Sequence, residues 1–475
     1  MHKPLTVPGA LAFALAIALT IYFFRRYSPG RAALYAMLIA TLFLPEQVFV
    51  KLPLMPEFTK HRIATFAIMG CLLTLRRVRL PPVERWWYWL AAASFFVANG
   101  TWRTNREVYE SGSVTMQGLN FKDGMYLFLS ELTGGMFAAY IGMRCFSRER
   151  DLRDWVRVLV GFGLFYSLLI LFEVRMSPQL HTWVYGYPAF DDFGQSVRWG
   201  GYRPVVFMAH GLATSLFALG PTMMAAVLAR FHQRVWNIDA GWVTLFLTVV
   251  VILCKSTGTW TYALVALPMA RWASPKAMNR LAVVLAVIVC LYPWLRATDQ
   301  FPVDWLLQQF GKISEERMLS LKFRFDNEDV LSRHAMEKPW FGWSVSYGRN
   351  SLFDEYGKMA TTTDGAWIIA LGNGGLLGLS VYLAIPVTAI FLTAKRSKRI
   401  RDPKLKVMFA ALNLYLAIMW VDILPNGAFT LLPFFLAGAL CTMSRILSHA
   451  PQPAEARRAR PEQARVLSRP APHPG

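Results

Sequence analysis

The chain has 475 residues, of which 55% are hydrophobic and 17% are charged. Soluble proteins carry about 25% charged residues, so this composition argues against a soluble enzyme and indicates a membrane protein. The net charge of +21 could indicate nucleic-acid binding. However, the basic residues lie mostly in alternate loops between apolar segments, which is the pattern of membrane orientation. No nucleic-acid partner is therefore predicted.

Apolar segments recur along the whole chain, and most are about as long as a helix needs to cross a hydrocarbon core of roughly 30 Å. The sequence therefore predicts an all-α, polytopic transmembrane helical bundle of about 12–13 spans. The predicted spans are 5–24, 32–50, 62–75, 86–100, 125–143, 156–173, 205–229, 240–254, 257–272, 281–295, 366–394, 407–423 and 427–446.

Basic residues follow every odd-numbered span. Since such loops remain in the cytoplasm, the N-terminus is predicted outside and the C-terminus inside. The tail 447–475 is rich in Pro, Ala and Arg and is predicted to be a disordered cytoplasmic segment in contact with membrane lipid. The basic loop residues include Arg25, Arg26, Arg31, Arg76, Arg77, Arg79, Arg144, Arg148, Arg230, Arg234, Arg271, Lys276, Lys395, Arg396 and Lys398.

Two of the predicted outside loops are long, at 174–204 and 296–365. The second contains FPVDWLLQQFGKI, with apolar residues at helical spacing, and DNEDVLSRHAMEKP, which reads as a helix that ends before Pro339. A folded loop of about 70 residues is longer than a linker needs to be. This loop is therefore predicted to contribute to a functional site, within one membrane domain that spans 1–446.

The loop 174–204 contains two arginines, Arg198 and Arg203, beside Trp199 and Tyr202. A guanidinium group matches the oxygens of a phosphate, and aromatic rings suit the faces of a sugar. The alternative is an interfacial role, since Trp and Tyr lie at lipid headgroups and Arg binds their phosphates. Lys255, in CKSTGTW, has the same two interpretations: it contacts a ligand phosphate, or it extends to the membrane surface.

Asp364 lies where the long loop re-enters the membrane, in TTTDGAWIIALGNGGLLGL. A carboxylate at this place can act as a general base, and it can also cap the following helix. His210 lies within a predicted span, where an ionisable residue is either functional or hydrogen-bonded inside the bundle. The sequence has no P-loop, HExxH or GxSxG motif, so neither a metal nor a cofactor is predicted.

These features resemble the O-antigen ligase and polymerase superfamily of bacterial envelope glycosyltransferases. In that family an Arg precedes an amphipathic helix and a Pro–x–x–Gly turn, and here Arg324 precedes Pro339 and Gly342 in RFDNEDVLSRHAMEKPWFGW. The segments RWGGYRPVVFMAHG and KSTGTWTYAL resemble the family's arginine–glycine segment and its Thr/Ser-rich link, with Lys255 in place of an Arg. GNGGLLGL matches the glycine-rich continuation. The resemblance covers most of the chain in architecture, whereas the motifs are short.

The resemblance implies an enzyme of the bacterial inner membrane, with a periplasmic active site that acts on undecaprenyl-pyrophosphate-linked glycans. It implies a role for Arg324 in catalysis, whereas the catalytic role predicted for Asp364 rests on its position where the loop re-enters the membrane. It implies ligand binding by Arg198, Arg203 and Lys255, with sugar stacking on Trp199, Tyr202 and Trp343. It also implies other polysaccharide assembly and export proteins as partners.

One position departs from the family pattern. Asp364 and Gly365 stand where the ligases have a His–Asn pair whose histidine is regarded as catalytic. This departure favours a polymerase of exopolysaccharide or O-antigen repeat units over a ligase. A lipid-linked sugar transporter or flippase, and a non-catalytic scaffold of an export machine, are the alternatives from other classes.

Overall fold

The computed structural model describes residues 3–51, 55–75, 80–312, 314–362, 365–427 and 430–449, apart from the side chains of Glu316 and Arg317. It confirms an all-α membrane protein. Every predicted apolar segment falls on a helix or a pair of helices, and six helices are long and apolar enough to cross a membrane by length and composition: Val7–Arg26, Glu149–Met176, Gly211–Arg230, Pro275–Ala297, Ala366–Ser397 and Pro403–Ile423.

The helices of the described residues are numbered in chain order. They are α1 Val7–Arg26, α2 Pro29–Phe43, α3 Lys60–Thr74, α4 Arg85–Thr104, α5 Phe121–Glu131, α6 Phe137–Cys145, α7 Glu149–Met176, α8 Leu180–Tyr185, α9 Gly211–Arg230, α10 Ala240–Leu253, α11 Thr257–Trp272, α12 Pro275–Ala297, α13 Val303–Gly311, α14 Glu315–Met336, α15 Ala366–Ser397, α16 Pro403–Ile423 and α17 Leu432–Ser448.

The short strands form four antiparallel two-stranded hairpins between helices. Their bounds are β1 Phe49–Val50, β2 Phe58–Thr59, β3 Tyr109–Ser111, β4 Val114–Met116, β5 Val197–Arg198, β6 Gly201–Tyr202, β7 Arg234–Val235 and β8 Ile238–Asp239.

Two helices, α9 and α16, form the centre of the bundle, and 89% of the most apolar window of each is buried. Helix α1 lies at the periphery, with only 22% of its window buried. Burial on nearly every face is expected for apolar helices at the centre of a bundle.

The loop 296–365, the predicted outer loop, contains the two predicted helices, α13 and α14, although α14 begins at Glu315, well before the predicted motif. It ends at Met336, shortly before Pro339, because the residue before a proline disfavours helical geometry. Helix α14 is joined to α12 by Arg296, which contacts Glu328 at 3.3 Å and Asp329 at 2.5 Å. The buried Arg296 thus attaches α14 to α12 through two ion pairs.

Helix α15 is interrupted in its first third, where Gly375 has φ +63°. The loop segment 339–344 inserts there and replaces the missing helical hydrogen bonds. The Trp343 amide donates to the Gly372 carbonyl at 2.7 Å, and the Leu376 amide donates to the Pro339 carbonyl at 2.7 Å. Buried backbone groups need partners, so the inserted segment makes this break possible inside the bundle.

Gly342→Ala is expected to destabilise the fold by about 2–4 kcal/mol. Gly342 has φ +64°, and a Cβ atom there would lie 2.5 Å from the Gly375 amide nitrogen. Thermal unfolding in detergent measures the effect. Gly378→Ala, on α15, is the control because its Cβ atom would meet ordinary contacts at 3.6 Å. Equal melting temperatures for the two variants would contradict the inserted-segment geometry.

Candidate functional site

A cavity of about 890 Å³ lies where the first turns of α9 and α11, the last turn of α16 and the outer helix α14 meet. The opposite ends of α9 and α11 carry Arg230 and Arg271, so the cavity lies at the end of the bundle away from these basic loops. Most of the predicted site residues line it, namely Arg198, Trp199, Arg203, Lys255 and Arg324. Residues far apart in the sequence thus converge on one space.

The hairpin β5–β6 carries the first part of the site. Trp199 and Gly200 form its turn with φ +47° and +65°, the left-handed pair that a tight hairpin turn requires. The turn places Trp199 against Trp260 of α11, with 4.6 Å between ring centroids. Tyr202 follows on β6, where its ring lies 6.3 Å from that of Phe193, and it is not among the residues that line the cavity.

Hydrogen bonds to backbone carbonyls connect Lys255 with Arg198 and Arg203. The Lys255 ammonium donates to the Arg198 carbonyl at 3.1 Å, and the Arg203 guanidinium donates to the Lys255 carbonyl at 3.1 Å. The backbone can approach the side chains of Lys255 and Arg203 closely because the residues at the two contacts are glycines. A Cβ atom at Gly201 would clash with the Lys255 ammonium, and one at Gly211 would clash with the Arg203 side chain.

Arg203 is the most enclosed of these cations, with 9% of its surface exposed. Among the residues that the structure describes, no carboxylate lies within ion-pair distance of it, and its Nε has no hydrogen-bond partner. Burial and the nearby charges of Arg198 and Arg324 lower the pKa of Arg203 to about 10. The side chain therefore stays charged at neutral pH, and a bound anion would compensate that charge.

Arg324 reaches the cavity from α14. Its Nη1 donates to the Pro425 carbonyl at 3.1 Å and to the Asn426 side-chain oxygen at 3.2 Å. Asp422 lies beside it on the last turn of α16, where its carboxyl group interacts with Tyr262, Asn426 and the Arg324 charge. Asp422 is the one carboxylate among the lining residues that the structure describes.

Sequence reasoning missed Asp422. The available signal was an ionisable residue inside an apolar span, in MWVDILPN, which marks a candidate site by default.

His210 lies at the edge of the cavity as the N-cap of α9. Its Nδ1 accepts from the Leu212 amide at 3.1 Å, which places the ring proton on Nε2, 2.9 Å from the Gln195 side-chain oxygen. Burial and the charges of Arg203, Arg324 and Arg198 lower the pKa of His210 to about 4. The histidine is thus neutral at pH 7, and both of its nitrogens already have hydrogen-bond partners.

A buried carboxylate holds the loop that follows Arg203. Glu173, fully buried on α7, accepts hydrogen bonds from the amides of Val205 at 2.8 Å and Val206 at 2.7 Å. Val206 has φ +58°, a conformation that costs energy for a β-branched residue. The Lys60 ammonium binds the next carbonyl, that of Phe207, at 3.1 Å. Arg203 and His210 therefore project from a strained and fixed loop.

Of the predicted site residues, Tyr202 and Trp343 do not line the cavity. Trp343 is buried within the outer loop, where its ring stacks on His334 at 4.6 Å and lies 4.5 Å from the ring of Tyr109. It packs the loop and is not among the residues that line the cavity. Asp364 lies outside the described residues, as does most of the predicted cytoplasmic tail, from 450 to 475.

The arrangement suits a ligand with several anionic oxygens and an attached polar chain. Four cationic side chains from three segments surround one space, and the indole of Trp199 stands at its edge. Guanidinium groups bind phosphate oxygens through paired hydrogen bonds, whereas an ammonium acts as a point charge. No protein-family model matches the chain, and a search of curated proteins finds no similar sequence.

Proposed function

We propose that the protein is a membrane-embedded polysaccharide polymerase of the bacterial inner membrane. It would transfer a saccharide from undecaprenyl pyrophosphate to a lipid-linked acceptor on the periplasmic side. The convergence of Arg198, Arg203, Lys255 and Arg324 on one cavity carries this proposal. A pyrophosphate leaving group needs fixed positive charge, and these side chains supply it without a metal ion.

The proposed reaction is a single displacement. The acceptor hydroxyl oxygen bonds to the anomeric carbon, the bond from that carbon to the pyrophosphate oxygen breaks, and the pyrophosphate leaves with the electron pair. The hydroxyl proton passes to a carboxylate acting as general base. Asp364 is the predicted base, and Asp422, 8% exposed beside Arg324, is the candidate that the cavity adds.

The test is deletion of the gene in its host, followed by extraction of lipid-linked saccharides. If the protein is a polymerase, its deletion is expected to leave single repeat units on undecaprenyl pyrophosphate and to abolish polymer. Complementation with Arg324→Ala is expected to fail, whereas Arg333→Ala, an exposed arginine of the same helix, is expected to restore polymer. Separate Asp364→Ala and Asp422→Asn variants identify the base, since only the variant that lacks the base loses turnover while retaining donor binding.

The same experiment separates the alternatives. Full-length polymer that remains on the carrier would indicate the ligase of the same family and would exclude a polymerase. Unchanged polymer would indicate a scaffold or a transporter.

One observation favours a transporter or flippase as the second candidate. Two apolar segments are interrupted, at Gly375 in α15 and at Gly134 between α5 and α6, and discontinuous helices are frequent in transporters. However, the cationic side chains cluster at one end of the bundle, not at its middle, which favours the enzyme. Flipping of a labelled lipid-linked sugar in proteoliposomes would support the transporter.

A further inference from the structure

A second cavity, of about 750 Å³, is an apolar groove between α1, α2 and α7. It shares no lining residue with the cationic cavity. Its walls are formed by residues such as Leu15, Leu19, Ile39, Phe162 and Phe165. This volume lies within the usual range of about 300–1,000 Å³ for ligand sites.

The groove exists because α1 stands away from α7. Helix α1 presents Ala12 and Ala16 to this space, and α7 presents Gly161, where an added Cβ atom would meet only the indole of Trp236, at 3.6 Å. Small residues on facing helices leave room that apolar side chains do not fill. A groove of this kind, open at the periphery of a membrane bundle, accommodates a hydrocarbon chain.

Only one end of the groove is charged. Arg31 binds Asp154 through two contacts, at 2.9 and 2.5 Å, so this pair is neutral. Arg157, one turn further along α7, is exposed, and its nearest partner among the described residues is the neutral side chain of Gln233 at 3.5 Å. Among those residues no carboxylate lies within ion-pair distance of Arg157. One positive charge therefore remains where the apolar groove ends.

Trp236 lies at the same end and is 68% exposed, a position typical of tryptophan at the level of lipid headgroups. Arg25 and Arg26 end α1 on the same side of the bundle, and basic residues of this kind remain in the cytoplasm. The charged end of the groove thus corresponds to the inner leaflet.

We infer that this groove binds an anionic glycerophospholipid of the inner leaflet, with its phosphate on Arg157 and an acyl chain along α1 and α7. The apolar walls select a hydrocarbon chain, and the unneutralised guanidinium favours a headgroup with net negative charge over a zwitterionic one. The site is independent of the proposed enzymatic activity, because no residue is common to the two cavities.

The test uses the full-length protein in mild detergent and native mass spectrometry. Phosphatidylglycerol, phosphatidylethanolamine and undecaprenyl phosphate are titrated separately. Phosphatidylglycerol is expected to bind most tightly, and Arg157→Gln is expected to weaken it about fivefold, the effect of one arginine at an anionic lipid surface. Gly161→Phe, which fills the groove, is expected to remove the bound lipid.

Arg153→Gln is the matched control. Arg153 lies one turn away on α7 but already faces Glu149 at 3.6 Å and Asp402 at 3.5 Å, so its loss leaves lipid binding unchanged. Equal effects of Arg157→Gln and Arg153→Gln would overturn the inference. Equal binding of phosphatidylethanolamine, or tighter binding of undecaprenyl phosphate, would also overturn it. Unchanged melting temperatures show that the variants are folded.

Discussion

Arg203→Ala is expected to reduce polymer formation by about two to three orders of magnitude, the loss typical of removing one fixed group that stabilises developing charge. Arg203 is buried, charged and without a carboxylate partner among the described residues, and Arg198 and Arg324 lie near it. A dianionic leaving group would therefore gain more from this guanidinium than from an exposed cation.

The measurement is the rate of chain extension by the purified protein with lipid-linked repeat units. Arg203→Lys keeps the charge but loses the planar pair of donors, so an intermediate rate is expected. Arg175→Ala, at the exposed end of α7, is the control with unchanged rate. If Arg203→Ala extends chains as fast as the Arg175 variant does, the guanidinium does not contact the leaving group.

Glu173→Ala is expected to lower the free energy of unfolding by at least ~3 kcal/mol, since each buried amide left without an acceptor costs about 1–3 kcal/mol. Three amides lose their acceptor, those of Val205, Val206 and Leu180. Without these bonds the strained Val206 backbone relaxes, so Arg203 and His210 would leave their positions. Activity is expected to fall together with stability.

Thermal unfolding in detergent and chain extension are measured on the same preparation. Glu173→Gln retains one carbonyl oxygen but directs an amide NH₂ group at backbone donors. Its melting temperature and its rate of chain extension are therefore expected to lie between those of the wild type and of Glu173→Ala. Glu149→Ala is the control on the same helix, because that carboxylate is exposed and faces Arg153 at 3.6 Å. A melting temperature of Glu173→Ala equal to that of the control would show that the loop holds its conformation without the carboxylate.

The membrane fold was predictable because long apolar segments specify helices without knowledge of their partners. The interruptions within helices were harder to predict from the sequence. The segment 125–143 was predicted as one span, yet it divides into α5 and α6 around a π-helical turn at Leu132–Met136. Its two glycines gave a weak local signal. The break in α15 depends on hydrogen bonds from residues 339–344, which no local pattern reveals.

The cationic part of the cavity followed from local motifs, since Arg198, Arg203 and Lys255 stand in loops rich in Gly, Ser and Thr. Their catalytic roles remain predictions. Glu173 and Asp422 were not predicted because their partners are set by tertiary packing: Glu173 binds amides more than 30 residues away in the chain. Trp343 was predicted as a site residue, but its ring packs against His334 and Tyr109 inside the loop. This contact depends on the fold and is not visible in the sequence.

The interruption of α15 has a consequence for how the protein is made. The segment 339–344 is synthesised just before α15, and it supplies the acceptors and donors that the broken turn at Gly375 lacks. Unsatisfied backbone groups cost several kcal/mol in a hydrocarbon environment, so α15 alone is a poor span. The segment 339–344 is therefore expected to pack onto α15 while that helix inserts into the bilayer, not afterwards.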